Sequence, residues 1–390
     1  MKSLLQEAAT AQASSASRLK VFHGFRFTDQ QPASGITFAH HMTEDSGRSE
    51  KAIHYDHGSG VAVADVDGDG LEDLYFGNQI GGNQLWRNLG SGRFENITDR
   101  AGVAVADRVS VGVALADLDN DGDPDLVVST VREGNLLFEN LGGGRFRDVS
   151  AAAGWNTHWH SSGIVVLDFN HDGRPDILIT SIGRYTTDVR GADGYWVGMT
   201  NAFSGHLFAD RSEPTLLYRN DGGWKFTEVA QSMGVTGAGW SGDASACDIN
   251  DDGWPDVYLL NMQGDDHVYV NVGGQRFEEQ AARYFPKTPW GAMGIAVFDY
   301  NLDGRFDYLV TDMHSDMTSP QSKLRKSFNA GVERQKSDAW CSATWTDQFL
   351  QGASNNIFGN ALYENLGGGQ FSEVSDRLRL ETYWPWGVSI

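Results

Sequence analysis

The chain has few cysteines, few prolines, little positive charge and no long apolar run, and each shortage excludes a class of protein. Two cysteines in 390 residues cannot form a disulfide framework. Lys and Arg number 30 against 52 Asp and Glu, and the formal net charge of −22 disfavours nucleic acid as a partner. No run approaches the roughly twenty apolar residues of a membrane-spanning helix. With 47 glycines and 9 prolines, the composition favours a β-rich chain without a membrane span.

The two cysteines and the N-terminal segment each give a separate expectation. We expect Cys247 to be a small core residue, and a Cys247–Cys341 disulfide is the alternative. Residues 1–20 are rich in Ala, Ser and Gln and lack the apolar stretch of a signal peptide. We therefore expect a disordered lead-in, or the remnant downstream of a removed signal, before one domain over residues 21–390.

A nine-residue string, Asp-x-Asp/Asn-x-Asp-Gly-x-x-Asp, occurs five times, beginning at Asp65, Asp117, Asp168, Asp248 and Asp299. Closely spaced carboxylates repel one another unless a cation lies among them. Oxygen-only ligands in a loop bent at a Gly are typical of a Ca²⁺ site. The strings lack the Glu at position twelve and the flanking helices of an EF-hand. They hold 20 of the 52 acidic residues, so the sequence predicts about five bound Ca²⁺ ions, with a purely hydrogen-bonded turn as the alternative.

By analogy with other nine-residue loops, we expect side-chain oxygens from positions 1, 3, 5 and 9 and a backbone carbonyl from position 7. The predicted metal ligands are Asp65, Asp67, Asp69, Leu71 and Asp73; Asp117, Asp119, Asp121, Asp123 and Asp125; Asp168, Asn170, Asp172, Arg174 and Asp176; Asp248, Asn250, Asp252, Trp254 and Asp256; and Asp299, Asn301, Asp303, Arg305 and Asp307.

The loops belong to a longer repeat that predicts an all-β fold. Short apolar runs bounded by Gly and Asp precede and follow each loop, which indicates strands buried on both faces. A third run ends in Asn and a fourth opens on Phe, as in Leu85–Asn88 and Phe94. The first loop aspartates lie 52, 51, 80 and 51 positions apart, a spacing typical of four-stranded propeller blades. We therefore predict a β-propeller with five complete blades, each with a calcium loop, and insertions at about 182–213 and 312–358.

Both termini resemble parts of further blades. Phe27–Asp29 with Ser34-Gly35-Ile36 resembles the end of a blade, and Trp386–Ile390 resembles the start of another. We interpret the chain as a propeller truncated at its C-terminus, and expect a seven-bladed parent, with six or eight blades as alternatives.

The string, with the following Leu-aromatic-x-Asn and Gly-x-Gly-x-Phe, resembles the FG-GAP/VCBS repeat of integrin α-chain propellers. Other segments are similar to the cartilage acidic protein and ASPIC/UnbV families: Phe27–His41, Gly58-Ser-Gly60, Thr311–Met317 and the run from Gly359. The resemblance covers about residues 24–390 and implies an extracellular or periplasmic propeller stabilised by calcium. Millimolar extracellular Ca²⁺ also suits weak surface loops, so we expect an exported protein.

Blade geometry places a candidate ligand site on the face opposite the calcium loops. Entries into first strands lie there, eight or nine residues before each loop. The residues predicted to bind a ligand are His57, Arg108, Trp159, His160, Trp240 and Trp290. Aromatic rings beside His and Arg suit a sugar or a peptide. The alternative is that these tryptophans pack between blades or fill the centre.

Two functional classes remain open. The first is a non-catalytic scaffold that binds a protein or glycan on this face. The second is a carbohydrate-active enzyme, a polysaccharide lyase or a sugar dehydratase, with His57, His160 and Arg108 as its available groups. No nucleophile elbow, phosphate loop or dinucleotide fingerprint supports other chemistry, so the sequence favours the scaffold.

Overall fold

A computed structural model describes residues 28–43, 58–192, 194–199, 209–262, 264–313, 356–357, 359–378, 380 and 388. Within this part of the chain, five four-stranded antiparallel sheets follow one another, and we number them as blades 1 to 5. The fold is all-β and propeller-like, as predicted. Each of these sheets has its first and fourth strands at its two edges, so none of them closes into a barrel.

The strands of each blade follow the predicted runs. Blade 1 contains β1 (Val61–Ala64), β2 (Asp73–Phe76), β3 (Gln84–Asn88) and β4 (Phe94–Asn96); blade 2 contains β5 (Ser110–Ala116), β6 (Asp125–Thr130), β7 (Leu136–Asn140) and β8 (Phe146–Asp148); blade 3 contains β9 (Ser161–Leu167), β10 (Asp176–Ser181), β14 (Leu216–Asn220) and β15 (Phe226–Glu228); blade 4 contains β17 (Ala244–Cys247), β18 (Asp256–Leu259), β19 (His267–Asn271) and β20 (Phe277–Glu279); blade 5 contains β22 (Ala292–Phe298), β23 (Asp307–Asp312), β25 (Ala361–Gly367) and β26 (Gln370–Glu373).

Shorter elements connect these strands. They are β11 (Thr186–Arg190), β12 (Trp196–Gly198), β13 (Glu213–Pro214), β16 (Ala238–Gly239), β21 (Thr288–Pro289) and β24 (Asn356–Ile357), with helical turns α1 (Gln31–Ser34), α2 (Thr98–Ala101), α3 (Ala230–Met233), α4 (Ala281–Tyr284) and α5 (Ser375–Leu378) and a 3₁₀ turn at Ala209–Arg211. β11 pairs with β12, β13 with β16, and β21 with β24 in parallel. Among the described residues, no helix is both long enough and apolar enough to cross a bilayer.

The strand register is the same in every blade. The residue before each acidic loop pairs with the last Asp of that loop, as Ala64 does with Asp73 and Ala116 with Asp125. The loop is therefore a tight connection between the first and second strands, and its two ends are held by the sheet. This register fixes the loop in one position relative to each blade.

Burial differs between the first and second strands. Every residue of β6 and β10 is buried, as expected for strands covered on both faces. The same expectation is wrong for β1, since its Val61 and Val63 are 56% and 53% exposed. The reason is position: first strands of consecutive blades contact one another, from β1 through β5, β9 and β17 to β22, and β1 stands at the end of this series, so among the described blades only blade 2 packs against it.

Four apolar clusters join the blades in consecutive pairs. Tyr75 and Leu85 of blade 1, for example, pack with Leu126 and Val128 of blade 2. Equivalent clusters join blade 2 to blade 3, blade 3 to blade 4 and blade 4 to blade 5. Each blade thus buries its faces against its neighbours, which is the usual source of stability in a repeat fold.

The segment before blade 1 has the geometry of a blade exit. In α2 and in α1, a helical turn ends at a glycine of positive φ, Gly102 and Gly35 respectively. A Cβ on Gly102 would lie 3.7 Å from the carbonyl oxygen of Phe146, and one on Gly35 would lie 3.2 Å from that of Phe94. Residues 28–36 therefore contact blade 1 as the exit of blade 1 contacts blade 2. This agrees with their interpretation as the end of a blade, while Phe27 lies outside the described residues.

The segments between second and third strands are longest in blades 3 and 5, where β10 is followed by β14 and β23 by β25. The first contains the β11–β12 hairpin and β13, whereas most of the second, residues 314–355, lies outside the described residues. Cys247 packs, partly buried, against the cluster between blades 4 and 5, and Cys341 lies outside the described residues, so the alternative of a Cys247–Cys341 bond stays untested. Of the predicted first strand Trp386–Ile390, only Val388 is described.

Candidate metal centres

Each acidic loop folds around its first aspartate. In blade 1, Asp65 Oδ1 accepts hydrogen bonds from the N–H groups of Gly68 and Asp69 at 2.9 and 3.1 Å, and Oδ2 accepts one from Gly70 at 2.7 Å. Position 6 has a positive φ in all five loops, between +81° and +96°, which explains why it is always glycine. The loop backbone is therefore organised around a carboxylate.

The last aspartate of each loop is buried and joins three parts of its blade. Asp125 is 1% exposed; its Oδ2 accepts from the N–H of Leu118 at 2.9 Å and its Oδ1 from that of Asn140 at 2.8 Å. The same pair of bonds occurs at Asp73, Asp176, Asp256 and Asp307. These carboxylates tie the loop to the third strand.

Burial disfavours the charged form of these carboxylates. Desolvation raises the pKa of Asp125 and of Asp176 to about 7, and that of Asp256 to about 6, despite the two backbone N–H donors. A cation nearby would act in the opposite direction, because it favours the charged form. The predicted position-9 ligands are therefore groups that a bound cation would stabilise.

The donor set fits a hard cation. Carboxylate oxygens of Asp65, Asp67 and Asp73 lie within 4.8 Å of one another, as do those of Asp117, Asp119 and Asp121. Asp67 Oδ1 is buried and has no hydrogen-bond partner in the structure, so its lone pairs are available to coordinate an ion. Oxygen donors alone, converging at this separation, match calcium coordination.

A structural role that the sequence reasoning missed belongs to the asparagine at the end of each third strand. Asn220 Nδ2 donates to Pro175 O of its own loop at 3.0 Å and to Leu118 O of the preceding loop at 2.8 Å. Its Oδ1 accepts from Gly222 N at 3.0 Å. Asn140 and Asn271 make the same three kinds of contact. In blades 2, 3 and 4 the asparagine therefore links its loop to the loop before it, and its recurrence in sequence was the available signal.

Neighbouring loops also contact each other directly, so they lie side by side on one face. Asn120 Nδ2 donates to Gly173 O at 3.0 Å, which connects the loops of blades 2 and 3. His171 stacks on Trp254 with ring centroids 4.2 Å apart, which connects those of blades 3 and 4. Through these contacts and the asparagines, the loops form a continuous row along the first four blades.

Arginines reach the loop carboxylates in three blades. Arg87 of β3 pairs with Asp67 and, through Nη2 at 2.8 Å, with Asp69. Arg174, at position 7 of its loop, pairs with Asp172 at 2.5 Å, and Arg305 in the same position pairs with Asp303 at 2.5 Å. These guanidinium groups were not part of the sequence prediction, which used position 7 only for its carbonyl.

On the opposite face, the tryptophans predicted to bind a ligand are enclosed. Trp240 is 4% exposed and Trp290 is 6% exposed, and Trp159 is half-buried against the cluster between blades 2 and 3. Stacking a sugar requires an exposed ring face, so their burial supports the alternative packing role. Trp240 belongs to a cluster contributed by blades 2 to 5, with Ile182, Met262, Met293 and Met313 among its members. This apolar cluster therefore joins blades 2 to 5 at the entries into their first strands.

The predicted rim His and Arg are also held by the protein. His160 is 1% exposed; its Nδ1 lies 3.0 Å from Glu213 Oε1 and its Nε2 lies 2.8 Å from Thr186 Oγ1. Burial lowers the pKa of His160, and Glu213 offsets this only in part. Arg108 donates to the carbonyls of Glu133 and Gly134 at 2.9 and 3.0 Å. His57 lies outside the described residues.

What this face presents instead is the β11–β12 hairpin. Arg132 and Arg190 lie on Trp196, each with Cζ 4.3 Å from the ring centroid. Glu133 accepts hydrogen bonds from both Arg190 and Trp196 Nε1. The insertion is thus anchored on the blade, and Val189 at its tip is 63% exposed.

The repeat defined by this geometry matches a known family. The model of the FG-GAP-like repeat matches residues 65–128, 117–179 and 248–310, and each match begins at the first aspartate of a loop and ends in the second strand of the next loop's blade. The chain therefore contains FG-GAP-like repeats. The predicted resemblance is thereby confirmed.

The chain is also similar to cartilage acidic protein 1 from three species. The Mus musculus and Homo sapiens proteins are each 25% identical over 262 residues, which is 66% of this chain and 36% of theirs. The Xenopus tropicalis protein is 30% identical over 131 residues, 33% of this chain and 20% of its own. The chain thus spans about a third of the length of the mouse and human relatives. Among solved structures, the V. cholerae biofilm matrix protein Bap1 matches with a TM-score of 0.36 and 16% identity over 67% of this chain and 35% of that one.

Proposed function

We propose that this FG-GAP repeat protein is a calcium-stabilised, non-catalytic binding scaffold that works outside the cytoplasm. The observation that carries the proposal is the row of acidic loops, in which buried carboxylates and bridging asparagines connect one blade to the next. A scaffold built from separate sheets needs contacts that fix the position of each blade relative to the next. Ions bound in these loops would supply such contacts.

Calcium would be held by the predicted ligands at positions 1, 3, 5 and 9 and by the carbonyl at position 7. Its chemistry there is charge neutralisation of clustered carboxylates. The first aspartate already orders the loop backbone through N–H donors, and the unpartnered Asp67 Oδ1 offers a free ligand atom in blade 1. Extracellular calcium concentrations suit such surface loops, and the relationship to cartilage acidic protein 1 supports a location outside the cytoplasm.

We place the partner, a protein or a glycan, on the face opposite the loops. The apolar cluster around Trp240 is buried, so contact would fall on the exposed β11–β12 hairpin instead. The hairpin is rigidly held through Trp196 and exposes Val189 and Arg190, which gives a fixed surface with one apolar and one cationic contact. The enzyme alternative gains no support here, because His160 is buried against Glu213.

The test combines calcium with binding. Unfolding in millimolar Ca²⁺ is compared with unfolding in chelator for the wild type and for Asp69→Ala, and both are screened on glycan and peptide arrays. We expect chelator to lower the stability of the wild type, and Asp69→Ala to lower it in calcium. Binding is expected to need calcium and to be lost in Arg190→Glu but retained in Arg276→Glu, an exposed arginine of blade 4. Equal stability with and without chelator would refute the proposal that calcium in the loops stabilises the fold. Binding unaffected by Arg190→Glu would refute the proposal that the hairpin contacts the partner.

A further inference from the structure

The five loops differ in how much of their negative charge the protein itself neutralises. In blades 3 and 5, a position-7 arginine pairs with the position-5 aspartate at 2.5 Å and donates through Nε to the carbonyl of the third-strand asparagine at 2.9 Å. The two loops are copies in this respect. Each also has Asn instead of Asp at position 3, Asn170 and Asn301, so each offers three carboxylates at the four side-chain ligand positions.

The loop of blade 2 carries more negative charge, and no arginine neutralises it in the described structure. It offers four carboxylates at the same positions and a fifth aspartate, Asp123, where the other two loops have arginine. The third-strand residue that would correspond to Arg87 of blade 1 is Glu139, and its partner is Arg147 of β8 rather than a loop aspartate. Among the described ion pairs, none involves a carboxylate of this loop. Its charge is therefore left for an ion.

The loops of blades 1 and 4 are intermediate for different reasons. Blade 1 has four carboxylates at the ligand positions, but Arg87 contacts two of them, Asp67 and Asp69. Blade 4 has three carboxylates, and its position 7 is Trp254, which stacks on His171 and carries no charge. The row therefore contains loops with and without an internal cation.

We propose that Arg87, Arg174 and Arg305 are built-in counter-cations that weaken calcium binding at their own loops, so that the protein has calcium sites of graded affinity. The loop of blade 2 binds most tightly and those of blades 3 and 5 most weakly. This inference rests on the proposed calcium binding and adds a regulation to it: blade 2 stays loaded at calcium concentrations that empty blades 3 and 5.

The physical reason is charge competition at short range. A guanidinium hydrogen-bonded to a ligand carboxylate lies within a few ångströms of the ion, repels it, and must release the carboxylate lone pair that the ion needs. Calcium affinity in loop sites varies over several decades with ligand charge count and rigidity. We expect about a tenfold change in affinity for each guanidinium, equivalent to about 1.4 kcal/mol. Because Arg174 and Arg305 are about 40% exposed at the side chain, solvent limits the effect to this order.

The experiment titrates the whole chain with calcium. Native mass spectrometry counts the ions bound at each free calcium concentration, and calorimetry gives the affinities. The double variant Arg174→Gln/Arg305→Gln keeps an aliphatic stem and an N–H donor but removes both positive charges. The reciprocal variant Asp123→Arg places arginine at position 7 of the blade 2 loop. Arg100→Gln is the matched control, because Arg100 of α2 is exposed and pairs with Glu95, outside every acidic loop.

We expect stepwise loading in the wild type. The double glutamine variant should bind its last ions about tenfold more tightly, Asp123→Arg should weaken the first step about tenfold, and Arg100→Gln should leave every step unchanged. Asp121→Ala should remove the first step altogether. A comparison of unfolding in chelator checks that each variant folds.

Two kinds of failure are distinguishable. Ions that bind with affinities unchanged in both arginine variants would overturn the counter-cation proposal and leave the calcium scaffold intact. A chain that binds no ion at millimolar calcium would overturn the calcium proposal itself. Loading of all five loops in one step with a single affinity would also contradict the grading.

Discussion

Replacing Asn220 with alanine tests whether the third-strand asparagine holds two blades together. The side chain is 2% exposed, donates to Leu118 O and Pro175 O, and accepts from Gly222 N. Alanine removes three hydrogen bonds, each with a net value of about 1 kcal/mol. It also leaves buried backbone groups without partners, and so we expect a loss of about 3 kcal/mol or more from the free energy of unfolding.

A matched variant separates the contact between blades from the contacts within one. Asn365 is 4% exposed and makes the same bonds within its own blade, to Phe306 O at 3.2 Å and from Gly367 N at 2.9 Å. Among its described hydrogen bonds, none reaches the preceding blade. Asn365→Ala should therefore cost about 1 kcal/mol less than Asn220→Ala, which is the net value of one hydrogen bond.

The assay is urea unfolding in millimolar calcium, with hydrogen exchange to locate the region that opens, because repeat folds do not always unfold in one step. Asn220→Ala should increase exchange in the loops of both blades 2 and 3, and Asn365→Ala only in blade 5. Asn220→Asp, which keeps the acceptor and loses the donor, should resemble the alanine variant. If Asn220→Ala costs no more than Asn365→Ala and opens blade 3 alone, the asparagine does not join the blades.

Two further predictions concern the packing of first strands and the buried histidine. Gly112→Ala should destabilise the fold by several kcal/mol, because its Cβ would lie 2.3 Å from Ser162 O, whereas Gly60→Ala meets its nearest atom at 3.1 Å and should cost less; equal melting temperatures for the two variants would contradict this. His160 has a lowered pKa in the folded state, so below its unfolded pKa of 6.5 the unfolded chain binds the proton more readily, and the contribution of His160 to stability should fall as the pH drops from about 7 to 5; the raised pKa values of Asp125, Asp176 and Asp256 act in the opposite direction. His160→Gln should remove the histidine contribution, so its free energy of unfolding should fall less, or rise more, than that of the wild type between pH 7 and pH 5, and an identical change in the two proteins would assign the pH dependence to other groups.

The candidate calcium site was largely readable from the sequence, because its parts are close together in the chain. Asp65 to Asp73 form one tight connection, and the strand runs on either side are apolar enough to define the hairpin. The twenty blade strands lie where the runs before and after each loop, the Asn-terminated runs and the Phe residues predicted them. The resemblance to FG-GAP repeats followed from the same local strings.

The opposite face was not readable in this way. Counting residues placed Trp240, Trp290 and His160 correctly near the entries into first strands, but counting does not give burial. Trp240 is enclosed because side chains from four blades meet there, and His160 because an insertion brings Glu213 and Thr186 to it. These contacts join residues more than twenty positions apart, so no local pattern carries them.

The sequence by itself determined the repeat unit, the strands and the loop carboxylates, since hydrophobic periodicity, glycine and aspartate act through near neighbours along the chain. Only the tertiary structure decided which oxygens are already occupied, which arginine reaches which loop and which asparagine crosses to the preceding blade. The physical reason is that hydrogen bonds and ion pairs depend on distances of about 3 Å, and those between blades are set by how the sheets pack.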